Sequence, residues 1–149
     1  MSRRITLNKA RECVKLQDIQ RLAEQHAHAE ATGRVREART ALIAARRESL
    51  DAEKYWRACL KESRFDPQAS TRAGASLTLA HTEQLSAQQE LTARKQEMEA
   101  AETRLAEARA RYEVIRKHAA TQVREVAREV QAEQDIQLAE RTSMTWWAR

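Results

Sequence analysis

The sequence predicts an all-α chain folded as a long antiparallel two-helix coiled-coil hairpin. Three observations predict it. The 149 residues include only 2 Gly and 1 Pro, too few for the turns of a β-sandwich, a barrel or a dinucleotide-binding domain. Alanine supplies 28 of the 62 apolar residues, leaving few large side chains for a globular core. Charged residues make up 33% of the chain and aromatics 4%, a balance typical of helices that share a narrow seam.

The single cluster of turn residues lies around Pro67, in the stretch Arg64-Phe65-Asp66-Pro67-Gln68-Ala69-Ser70. Proline disfavours the helical region for the residue before it, so the first helix is expected to span about 4–64 and the turn about 65–69. The second helix is expected over about 70–142. Its start is either Pro67, capped by Asp66, or a point near Ser76 beyond Gly74. A flexible tail is expected at 143–149, and the whole of 1–149 reads as one hairpin unit. Gly33 is isolated in a helical pattern and is expected to be tolerated.

In the first helix Val35, Ala38, Leu42, Ala45, Ser49, Ala52, Trp56 and Cys59 alternate at three and four residues, the a/d pattern of a coiled coil. Further upstream the apolar pattern runs through Leu16, Ile19 or Gln20, Ala23, Ala27 and Ala31, which implies a phase slip near Ala31. In the second helix Leu91, Met98, Leu105 and Tyr112 recur every seven residues. Ala80, Ala87, Ala101, Ala108 and Ile115 fill the companion positions, interrupted by Arg94. Beyond Ile115 the expected stripe shifts to Val123, Val126, Val130 and Leu138. Folding the chain at its turn sets Ala45 against Leu91, Ala38 against Met98, Val35 against Ala101 and Ala31 against Leu105, small against large.

Charge is divided unevenly. Residues 1–64 hold 15 Lys/Arg and 9 Asp/Glu, whereas residues 65–149 hold 12 and 13. The basic group Arg3, Arg4, Lys9 and Arg11 opens the first helix, and Glu125, Glu129, Glu133, Asp135 and Glu140 make the distal second helix acidic. An antiparallel hairpin brings these segments together, although exposed pairs contribute only ~0.2–1 kcal/mol each. Tyr55, Trp56 and Phe65 gather near the turn, Trp56 on the seam and the others off it. Trp146 and Trp147 cannot both pack against a two-helix hairpin, so they are candidate partner contacts.

No catalytic, cofactor or metal pattern emerges. His26 and His28 point to different helix faces, while His81 and His118 stand apart, and no HExxH motif, glycine-rich phosphate loop or nucleophile triad occurs. Cys13 and Cys59 lack metal spacing. On one helix they would lie roughly 70 Å apart, beyond disulfide reach, and they read as reduced thiols in a cytosolic protein. No apolar run of spanning length occurs, and no apolar stretch follows the basic start as in a secretory signal. Basic residues of the first helix alternate with acids and lack a stacking platform, so nucleic acid is not the expected partner.

Length near 150, a basic first helix, one break near the middle, few aromatics and Ala/Glu/Arg/Gln-rich arms together resemble the YscO/FliJ-type stalk proteins of type III secretion systems. The resemblance covers the whole chain in architecture and rests on no short motif. It implies a cytoplasmic protein peripheral at the base of the secretion apparatus, with no enzymatic activity and no cofactor. Its terminal end would enter the pore of the hexameric secretion ATPase, and its hairpin end would face the export-gate ring, supporting protein export. Recycling of secretion chaperones is also implied. Carried onto this sequence, the ATPase end comprises Arg3, Arg4, Lys9, Arg11, Arg128, Trp146 and Trp147. The export-gate end comprises Tyr55, Trp56, Phe65, Leu77, Leu79 and His81. The alternative reading of the residues is a structural or scaffolding coiled coil whose thin apolar inventory favours a homodimer.

Overall fold

The computed structural model describes residues 2–147, apart from the side chains of residues 2, 145 and 147. Its two elements are α1 (Ser2–Lys61) and α2 (Pro67–Trp147). They pack as an antiparallel hairpin: Trp56 meets Gly74, Arg46 meets Gln88 and Arg34 meets Glu97, so the position on α2 rises as that on α1 falls.

Asp66 starts α2. Its Oδ1 accepts a hydrogen bond from the Gln68 amide at 2.9 Å, and its carbonyl accepts the Ser70 amide at 3.0 Å. Pro67 takes the first helical position, where an amide donor is not needed. The first helix therefore ends three residues earlier than the expected 64, and the second begins at Pro67 rather than 70. Of the flexible tail expected at 143–149, residues 143–147 continue α2, and residues 148 and 149 lie outside the described residues. No glycine or proline follows Gly74, and the Ser143 hydroxyl donates to the Glu140 carbonyl at 2.8 Å within the helix.

The packing divides into two units, residues 25–104 and residues 1–24 with 105–149. In the turn-bearing unit the seam is built from small side chains with intercalated larger ones. Ala31, Val35, Ala38, Leu42, Ser49 and Cys59 are buried on α1, and Ala73, Ala80 and Ala101 on α2. Trp56 is half-buried. A Cβ built on Gly74 would lie 3.5 Å from its Nε1, an ordinary van der Waals contact. Arg94 interrupts the α2 seam as expected. It bonds along its own helix, to Glu90 at 2.7 Å and Glu97 at 3.0 Å, which keeps the charge solvated while its stem covers apolar surface.

In the terminal unit the burial pattern corrects two expectations. On α1 the half-buried positions are Arg3, Leu7, Ala10, Val14, Gln17, Arg21 and Glu24, joined by Asp18. Leu16, Ile19 and Leu22 are 60%, 63% and 50% exposed, and Ala23 is exposed as well. No phase slip occurs: these positions continue the three–four spacing of Val35–Cys59 back along α1. Polar side chains with long stems occupy the seam instead. On α2 the pattern likewise continues through Leu105, Ala108, Tyr112, Ile115, Ala119, Gln122 and Val126, while Val123, Val130 and Leu138 are exposed. The valines that suggested a shift lie off the seam, and Gln122 fills its register position.

Candidate partner-binding surfaces

At the terminal end basic and acidic segments meet in an ion cluster around Arg3. Arg3 donates Nη1 to Glu133 Oε2 at 2.7 Å and Nη2 to Glu133 Oε1 at 2.6 Å. Its Nε lies 3.0 Å from Glu129 Oε2. Glu129 and Glu133 are four residues apart, so they stack on the α2 face that meets α1. The bidentate fork is the favourable geometry for an arginine–carboxylate pair. The hydrogen bonds from Arg3 hold the Glu133 carboxyl below the ordinary glutamate range, and the same bonds raise Arg3 further.

The other candidates at this end are separate from that cluster. Arg4, Lys9, Arg11 and Arg128 are exposed. Trp146 is 85% exposed, and the Trp147 side chain lies outside the described residues. Lys9 stands on the wall of a shallow groove that also includes Cys13, Ile115 and His118. An adjoining groove adds Gln17 and Val114 and shares Ile115. Within the same unit the Arg21 guanidinium sits 5.1 Å from the centre of the Tyr112 ring and bonds Asp18 at 2.7 Å. Sequence reasoning missed this contact. Its signal was available: Arg21 follows from the Val35–Cys59 spacing extended backwards.

At the turn the candidates do not form one cluster. Trp56 is turned inward beside Gly74, and Leu77 is half-buried. Tyr55, Phe65 and Leu79 are 61%, 56% and 60% exposed, and His81 is exposed. Phe65 lies in the connecting segment beside Asp66, whose capping bonds hold the chain there. These residues present apolar area beside the turn, with the inner two fixed by the seam.

Among the described residues no group of three or more His, Cys, Asp or Glu is placed to hold a metal ion. No helix is long and apolar enough to cross a membrane. Both cysteines are free thiols, Cys13 exposed and Cys59 buried. Compared with protein-family models, with curated proteins and with solved structures, the chain matches none.

Proposed function

We propose that this chain is a non-enzymatic stalk of a type III secretion system, cytoplasmic and peripheral at the base of the apparatus. Its terminal end would enter the hexameric secretion ATPase and its turn would face the export-gate ring. The observation that supports this reading best is the division of labour along the hairpin. The turn-bearing unit buries a close-packed seam. The terminal unit puts Gln17, Arg21 and Glu24 into its seam and turns Leu16, Ile19 and Leu22 outward. A helix pair that spends its large apolar side chains on its outer surface is suited to contact with other proteins.

The mechanism is mechanical. A ring of identical subunits responds to a bound hairpin only through contacts that differ between subunit states. An asymmetric pair, basic on early α1 and acidic on late α2, makes such unequal contacts with a symmetric ring. Contacts at Tyr55, Phe65, Leu79 and His81 would pass the bias to the export gate, and secretion chaperones are further candidate partners.

The test is co-purification with the ATPase of the same operon, followed by ATPase and secretion assays with and without the chain. Stimulation by the natural chain, lost when Arg3, Arg4, Lys9 and Arg11 are all reversed to Glu, is the expected result. Unchanged stimulation and secretion in that variant would remove the terminal end from the ATPase pore.

A further inference from the structure

The terminal unit leaves two apolar features uncovered, and they are complementary. The first is a length of single helix. Beyond the bond between Arg3 and Glu133, α2 runs on over 134–147, roughly four turns, with every described side chain there exposed. Ile136, Glu140 and Met144 fall at i, i+4 and i+8, one stripe along the helix. Ile136, Met144 and Trp146 are 59%, 75% and 85% exposed.

The second feature is the groove between α1 and α2 in the same unit. Lys9, Cys13 and Gln17 line one wall; Val114, Ile115 and His118 line the other. With Thr6 at its outer end, it follows α1 for roughly 16 Å at ~1.5 Å per residue, about three helical turns.

We infer that the 134–147 segment of one copy seats in this groove of a second copy, in a reciprocal two-fold pair. A two-fold axis across the terminal ends lays each projecting helix parallel to the other copy's α1, starting level with its first turn. Counting along both helices at equal rise then brings Glu140 beside Lys9 and Met144 beside Cys13. Arg141 comes level with Glu125, which follows Gln122 by one turn and bonds it at 3.5 Å. The two charge pairs are of opposite sign in this direction. Three helices then share a layer at each end, and the contact closes on itself because each copy gives what it receives. The pairing goes beyond the stalk reading and covers the surface that reading assigns to the ATPase, so the two associations exclude one another.

Sedimentation velocity of the full chain over a micromolar concentration series tests the pairing. A reversible dimer is expected. Ile136→Glu with Met144→Glu weakens it about tenfold or more, and circular dichroism stays unchanged because both positions are exposed. Lys9→Glu and Glu140→Lys each weaken it, and the two together restore it. Met144→Cys in a Cys59→Ser background forms a disulfide from Cys13 to position 144 between copies. A single-chain mass at every concentration overturns the inference, as does a dimer indifferent to the apolar and charge variants. A monomer leaves the ATPase test standing, and failure of ATPase stimulation leaves the dimer measurement standing, so the two readings fail separately.

Discussion

The guanidinium of Arg21 lies 5.1 Å from the centre of the Tyr112 ring, so a cation and an aromatic face meet at the seam of the terminal unit. Asp18 holds the same guanidinium from the other side at 2.7 Å. Arg21→Ala removes both contacts and is expected to destabilise the chain by about 0.5–1 kcal/mol through the ring contact alone. Tyr112→Phe keeps the ring face and is expected to be close to neutral. Urea unfolding of the three proteins checks the order.

Ala101 is 1% exposed, so its methyl group is enclosed in the seam of the turn-bearing unit. Ala101→Leu forces the seam apart and is expected to cost about 1–3 kcal/mol. The neighbouring Ala100, on the exposed face, accepts leucine with little change. A thermal melt in which the two substitutions behave alike would contradict the described seam.

Both glycines lie inside helices with ordinary backbone angles. A Cβ at Gly33 meets nothing within 4 Å, and one at Gly74 meets Trp56 Nε1 at van der Waals distance. Gly33→Ala and Gly74→Ala are each expected to stabilise by about 0.5–1 kcal/mol, by restricting the unfolded chain and restoring helix propensity. The measurement is the shift in the unfolding midpoint.

Asp66 caps α2 through the Gln68 amide. Asp66→Ala leaves that donor without its side-chain acceptor and is expected to cost about 1 kcal/mol, whereas Asp66→Asn retains most of the cap. Comparison of the two variants by chemical denaturation separates capping from a general effect of charge.

Acid is expected to loosen the pairing of Arg3 with Glu133. The Glu133 carboxyl titrates below the ordinary glutamate range because Arg3 donates to it. A carboxyl whose folded value is depressed stabilises the fold above its unfolded value. That contribution is lost as pH falls through the depressed value. The protection of amides near residues 3 and 133, taken relative to their intrinsic exchange at each pH, is therefore expected to fall in that acidic window, and Glu133→Gln to abolish the dependence while lowering protection at neutral pH.

The hairpin was legible because its signals agree. Asp66-Pro67 marks both a helix stop and a capped start, and Val35, Leu42 and Trp56 alternate with alanines at one spacing. The terminal unit misled the eye for a physical reason. Leu16, Ile19 and Leu22 form the apolar pattern, yet an unbroken α1 carries its register forward regardless of hydrophobicity and delivers Gln17, Arg21 and Glu24 to the seam. Such side chains have stems long enough to cover a neighbour while their heads reach water. Opposed charge at the terminal end was readable from composition. That Glu129 and Glu133 face Arg3 depends on the register between helices, which no single segment encodes.

The segment joining the helices is only residues 62–66. Closing so small a loop loses little chain entropy, and each pair formed next to it shortens the search for the following one. Assembly is therefore expected to zip outward from Asp66, with the pairing of Arg3 and Glu133 the last to form and the first to fray. The end that bears exposed Trp146, Leu16 and Leu22 is then expected to sample open states most often, which lets it exchange one companion for another without dismantling the rest of the fold.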